Sequence, residues 1–225
     1  MPSSSTTSCL VHMGKTLKKL GKMSRREGVA LSTGGKVMKV MQRRAYGPGV
    51  HNSPSGTGGG RRRRARVSVY GTQLREKQKA KRLYGVMEKQ FRNYFSKATR
   101  MQGNTSENLA RLLETRLDNV VFRLGFAKTR PQARQMVSHA LFSVNGQKVN
   151  IASYKVRVDD VIAIRDNKRE KKVFVDLDER LQSYNVPSWL HTDGPNRSGK
   201  IVSLPEGEDL KEVYDPKLIV EFYSR

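Results

Sequence analysis

The chain has 225 residues, 36% of them hydrophobic, which is enough for one or two modest cores and too much for a wholly disordered polymer. Lys and Arg total 44 against 20 Asp and Glu, and a net charge of +24 repels itself unless an anionic partner relieves it. Nucleic acid fits that role better than a lipid surface, because the basic stretches lack tryptophan; no apolar run is long enough for a membrane-spanning helix, and the single Cys9 excludes an internal disulfide and a multi-cysteine zinc site.

The charge is unevenly placed. Residues 1–100 carry 24 basic and 3 acidic side chains, residues 101–172 carry 14 and 7, and residues 173–225 carry 6 and 10. Polyanion contact is therefore expected mainly in the first half, and protein contact at the acidic C-terminal end. Residues 1–26 contain Ser, Thr and Lys but no acid, and they lack the apolar core and early arginines of a targeting sequence, so they read as a basic arm. From Gly47 to Gly60 the chain is rich in Gly, Pro and Ser and reads as a loop. The run Arg61 to Arg64 and Arg66 follows; taken alone, it suits a solvated stretch as well as a phosphate contact.

Between Leu74 and Arg100, Leu83, Tyr84, Met87, Phe91, Tyr94, Phe95 and Ala98 recur at helical spacing on one arc, which predicts a helix with a core-facing side. Arg75, Lys79, Lys81, Arg82, Lys89, Arg92 and Lys97 fall on the opposite arc, with only Glu76 and Glu88 to balance them, as expected of a phosphate-tracking face. Asn104 to Glu107 supply a helix start, and Leu109, Leu113, Leu117, Val120, Val121 and Leu124 extend the apolar spacing to Gly125, predicting one amphipathic helix. Leu112, Arg116, Asn119 and Arg123 lie close to one line along it.

Thr129 is placed to cap a second short helix ending near His139, with Pro131 in its first turn and Arg130, Arg134 and Ser138 aligned one turn apart. Phe142 to Val144, Asn145-Gly146 and Gln147 to Val149 predict a hairpin, because both turn positions need positive φ. Val156 to Val158, Val161 to Ile164 and Val173 to Val175 read as further strands, with Asp159 and Asp160 in a turn and Trp189 as a packing anchor. The expected fold is α+β: a unit of roughly 65 residues with two helices on a short, mainly antiparallel sheet.

His12, His51, His139 and His191 form no recognisable triad with Cys9 or an Asp, and no phosphate-binding glycine loop or HExxH motif occurs. A binding protein is expected rather than an enzyme, with no metal, no cofactor and no small-molecule substrate.

The stretches RLDNVVFRLGF (116–126), TRPQARQMVSHALFSVNGQKVN (129–150) and VRVDDVIAIRD (156–166) together resemble the small RNA-binding module shared by ribosomal protein four, certain pseudouridine synthases and bacterial tyrosyl-tRNA synthetases. SRREG (24–28), PGVH (48–51), YGTQLREKQKAKRLYGVMEKQFRNYF (70–95), GNTSENL (103–109), NIASYKV (150–156) and the closing LIVEFYSR resemble the bacterial-type small-subunit ribosomal protein four family itself. Asn52 to Gly60 is an insertion relative to that pattern, and the family's zinc-binding cysteines are missing.

The resemblance implies a helical domain over residues 61–111 completed by residues 186–225, an inserted α+β module over residues 112–185, and a basic arm and loop over residues 1–60. It implies a structural protein that grips a multi-helix junction in the 5′ domain of small-subunit ribosomal RNA as an early assembly step. Arg116, Asn119, Arg123, Thr129, Arg130, Arg134, Gln135, Ser138 and His139 match the module's RNA-facing positions, and Lys148 is grouped with them. Arg63, Arg64 and Arg66 match arginines at the messenger entry channel, where the family contributes to translational accuracy. The implied protein partners are ribosomal protein five and other small-subunit proteins. The implied place is the ribosome of the bacterial cytoplasm rather than an organelle matrix, with no membrane partner. A free RNA chaperone or a translational repressor acting on messenger is the alternative, and it would use the same surfaces.

Overall fold

The computed structural model describes residues 19–49 and 68–224; Cys9, His12, most of the Gly47–Gly60 loop and the run Arg61 to Arg66 lie outside the described residues. The chain opens with α1 (Leu20–Glu27) and α2 (Gly35–Arg43), followed by α3 (Val69–Leu83) and α4 (Glu88–Arg100). Next come α5 (Thr105–Glu114), α6 (Leu117–Arg123) and α7 (Arg130–Ser138). Strands β1 (Phe142–Val144), β2 (Gln147–Lys148) and β3 (Val161–Ile164) lead to α8 (Leu177–Ser183), β4 (Leu190–Asp193), β5 (Ser198–Ile201) and α9 (Pro216–Tyr223).

Several boundaries follow directly from local chemistry. The Asn104 side chain accepts from the Ser106 amide at 3.0 Å and starts α5; the Thr129 hydroxyl accepts from the Gln132 amide at 3.3 Å and starts α7, with Pro131 in its first turn. Asn145 and Gly146 have φ of 49° and 79°, and the two-residue turn they form joins β1 to β2.

The fold is α+β, and its sheet is antiparallel throughout, with strand order β2-β1-β3-β5-β4. Its inner face, with α6 and α7, encloses a core that includes Phe126, Phe142, Ile162, Ile164 and Trp189. The rings of Phe126 and Phe142 stack at 5.8 Å, and Phe174 meets Phe142 edge-on at 6.3 Å. A second core gathers Leu83, Tyr84, Phe91, Leu109, Leu113 and Ile219 from α3, α4, α5 and α9. The C-terminal helix closes this core, with Tyr223 stacked on Phe95 at 4.7 Å.

Five expectations are corrected. The apolar arc from Leu74 to Arg100 is divided between two helices: Gly85, at φ 61°, ends α3, and Met87 is left half exposed. The helix expected from Asn104 to Gly125 breaks after Glu114. The loop before Val156 provides new backbone partners there: Leu117 donates to the Tyr154 carbonyl at 2.9 Å and Val156 to the Thr115 carbonyl at 3.0 Å.

Val156 to Val158 does not form a strand; Lys155 makes only an isolated bridge with Arg116, and Val173 to Val175 falls in and just after a one-turn helix (Lys172–Phe174) that buries Phe174. Finally, residues 190–201, grouped with the helical unit on sequence, pair with β3 instead and bury Leu190 and Ile201 in the sheet core. Gly199 permits this pairing, because a Cβ there would lie 2.5 Å from Leu124.

Candidate nucleic-acid interface

The arginine row expected along the central helix faces inward. Because the helix breaks before Leu117, Arg116 takes an extended backbone and its side chain is only 2% exposed. Its Nε and Nη2 donate to the two Asp118 carboxylate oxygens at 3.0 and 2.7 Å, and its Nη1 donates to the Tyr94 hydroxyl at 2.6 Å. Burial works against the charge, but the bidentate Asp118 outweighs it and holds the guanidinium proton more tightly than usual.

Beside it, the fully buried Glu114 accepts from Tyr84 Oη, from Asn119 Nδ2 at 2.8 Å and from Arg123 Nε at 2.9 Å. Glu212, from the C-terminal segment, takes a second bond from Arg123 at 2.6 Å and one from Arg130. Arg130 also donates to Asn119 Oδ1 at 2.8 Å, and its guanidinium lies 4.7 Å from the Phe122 ring centre and 5.2 Å from that of Tyr84. Desolvation raises the Glu114 pKa, but Arg123, Arg130 and Tyr84 outweigh it and bring it below the ordinary value. The same burial, with Glu114 close by, pushes the Tyr84 hydroxyl well up.

Arg116, Asn119 and Arg123, expected in one row, and Arg130, expected in the row along α7, thus take part in ion-pair and hydrogen-bond networks within the chain. One network joins the two cores through Glu114, Glu212, Arg123 and Arg130. A guanidinium already committed to buried carboxylates has little left to offer a phosphate.

The α3 face changes in the same way. Arg75 and Arg82 both reach Glu27 of α1, Lys79 pairs with Glu76 at 2.6 Å, and Lys77 and Lys81 both reach Glu88 at 2.8 Å. Glu88 is partly desolvated, which raises its pKa, but hydrogen bonds from Lys77, Lys81 and Tyr223 bring it down to about 2. Within the expected α3–α4 face, Lys89, Arg92 and Lys97 on α4 stay exposed, with no acidic partner among the described residues.

Helix α7 keeps an exposed polar face, on which the Ser138 hydroxyl donates to the Arg134 carbonyl at 2.8 Å. Gln135, Ser138 and His139 are exposed; Thr129 is half-buried at its cap position, and Arg134 anchors one nitrogen on the Gly85 carbonyl at 2.8 Å. Lys148 is exposed on the edge strand β2. The start of α7 meets the segment between α1 and α2, where the Thr33 hydroxyl donates to the Lys128 carbonyl at 2.9 Å and Gly34 packs beside the Thr129 methyl. This brings α2 to the same surface. Its Lys36, Lys39 and Arg43 are exposed, and sequence reasoning missed them although their spacing is helical.

Among the described residues, no three His, Cys, Asp or Glu are grouped to hold a metal, and no helix is long and apolar enough to cross a membrane. The arrangement offers fixed cations and hydrogen-bonding groups on helices whose interiors are already satisfied, a chemistry suited to phosphate and sugar contacts.

The comparisons divide the chain where the helix breaks. A family model described as the ribosomal protein S4/S9 N-terminal domain matches residues 15–114, and an S4 domain model matches residues 115–162. The small ribosomal subunit protein uS4 of Chlorobium luteolum is 47% identical over 204 residues, covering 91% of this chain and 96% of its own. That of Heliobacterium modesticaldum is 47% identical over 208 residues, with the same coverage of 91% and 96%. That of Chloroflexus aurantiacus is 46% identical over 215 residues, covering 95% and 100%. Identity of this extent, through both cores and the segment that locks them together, means that the chain belongs to the uS4 family of small ribosomal subunit proteins.

Proposed function

We propose that this chain is a structural, RNA-binding constituent of the small ribosomal subunit, and that it grips ribosomal RNA through the exposed faces of α2, α4 and α7. The observation that carries this reading is the sorting of the cations: those nearest the cores are neutralised by buried acids, while Lys36, Lys39, Arg43, Lys89, Arg92 and Lys97 are exposed with no acidic partner among the described residues. Lysines and arginines on rigid helices supply the salt-dependent part of affinity, and Gln135, Ser138 and His139 supply hydrogen bonds to sugars or unpaired bases. Family membership and the S4 domain support the same reading.

In finer detail, the RNA partner is the multi-helix junction of the small-subunit 5′ domain, bound early in assembly. Arg63, Arg64 and Arg66, outside the described residues, face messenger at the entry channel. Ribosomal protein five meets the acidic C-terminal side, and the particle is that of the bacterial cytoplasm. These four statements rest on the family resemblance.

The test is binding to a 5′-domain RNA fragment and to scrambled RNA of equal length across a salt series. A preference of about 10³ or more for the fragment is expected, persisting as salt rises and reduced by Arg134→Ala with Gln135→Ala. Equal affinity for both RNAs, lost together as salt rises, refutes specific recognition.

A further inference from the structure

The segment between Ile164 at the end of β3 and Phe174 carries Arg165, Lys168, Arg169, Lys171 and Lys172 against Asp166 and Glu170. It is not a loose tail. Ile164 and Phe174, each 1% exposed, pin its two ends into the sheet core, and short turns hold the residues between them: Lys168 N donates to Arg165 O at 2.8 Å and Lys171 N to Lys168 O at 3.2 Å. The segment lies against the end of α7. The Arg165 amide donates to the Leu141 carbonyl at 3.1 Å, and its guanidinium to the Ala140 carbonyl at 3.2 Å, one residue beyond His139.

Its charges are left unspent. Lys171 and Lys172 are exposed and Lys168 half-buried, and none has an acidic partner among the described residues. Arg169 donates to the Asn196 carbonyl at 3.5 Å, and its one acidic partner among the described residues is Asp166, at 3.0 Å, in a contact open to water on both sides. The contrast with the α3 and α6 cations, which the protein neutralises itself, indicates that this cluster is kept for an outside anion. Holding like charges in fixed turns costs free energy, and a row of phosphates offsets it.

We infer that Lys168, Lys171 and Lys172, with Arg165 at their base, form a second phosphate-binding site that continues the RNA face of α7 past its C-terminal end. It takes backbone phosphates without regard to sequence, since flexible ammonium groups act as point charges. This rests on the RNA-binding reading above. It adds a contact at which the sequence resemblance placed no RNA-binding residue.

The experiment compares the intact protein with the triple variant Lys168→Gln, Lys171→Gln, Lys172→Gln, measuring affinity for the 5′-domain fragment and for scrambled RNA across a salt series. The expected result is a salt slope shallower by about 2 and affinity lower by roughly tenfold to a hundredfold near 0.1 M salt, by a similar factor for both RNAs. Glu170→Lys should act oppositely, steepening the slope by about 1. Unchanged slope and affinity in the triple variant, while the intact protein still prefers the fragment, overturn this site and leave the RNA-binding reading standing. An intact protein that binds no RNA overturns both. Unchanged RNA binding with loss of incorporation into small subunits assigns the cluster to an acidic protein and also overturns the phosphate site.

Discussion

Neutralising Glu114 should weaken the joint between the two cores more than any surface change. Its carboxylate is fully buried and accepts from Tyr84, Asn119 and Arg123, while Arg130 approaches to 3.9 Å. Glu114→Gln preserves shape and keeps an acceptor oxygen, but it presents an amide to Arg123 and leaves two guanidinium groups to share Glu212. Removing one partner of a buried pair costs about 3–5 kcal/mol, and since Arg123 and Arg130 keep some access to water, a loss of about 3 kcal/mol is expected.

Urea unfolding can follow both cores. Trp189, the single tryptophan, is buried in the sheet core and reports there by fluorescence, while far-ultraviolet circular dichroism reports the helices. The double variant Glu114→Gln, Arg123→Gln should lose less than the sum of the two single losses, by about 1–3 kcal/mol. A single-variant loss below about 1 kcal/mol, or strict additivity, refutes the claim that this network sets the joint.

Arg116→Leu should cost about 3–5 kcal/mol of stability, because it strands the buried Asp118 carboxylate and the Tyr94 hydroxyl, while RNA affinity of the folded protein stays within about twofold. A tenfold loss of affinity without loss of stability would instead place that side chain in the interface. Gly199→Ala should destabilise by about 1–3 kcal/mol through the clash with Leu124, measured by thermal melting, and Leu124→Val in the same chain should recover part of it. Glu88, held down to about 2 from 4.5, stabilises the fold above its unfolded value and loses that contribution as pH falls through its folded one. The difference in melting temperature between the native chain and Glu88→Gln should therefore be full near pH 6 and shrink steadily between about pH 4.5 and pH 2. A difference constant across that range would disprove the lowered pKa.

Much of the local structure was legible in the residues. The Asn104 and Thr129 caps, Pro131 in the first turn of α7 and the Asn145-Gly146 turn depend on neighbours a few positions away, so their chemistry is written in a short window. The order of motifs likewise pointed to the family. Helical spacing misled at Tyr84–Met87, where α3 and α4 both line the helical core, and at Thr115–Arg116, where α5 lines the helical core and α6 the sheet core, because apolar residues keep their periodicity across a break when the helices on either side are both buried.

By itself, then, the sequence determined the charge excess, the elements with local caps and turns, and the family. Only the tertiary structure decided which cations are paired with acids and which stay exposed among the described residues. Arg123 meets an acid 89 positions away in Glu212, Arg82 meets Glu27 from another helix, and residues 190–201 leave the helical unit to extend the sheet. An arginine in a row reads the same on paper whether it faces phosphate or a buried carboxylate, and the choice is made by desolvation and distance, which depend on how distant segments fold together.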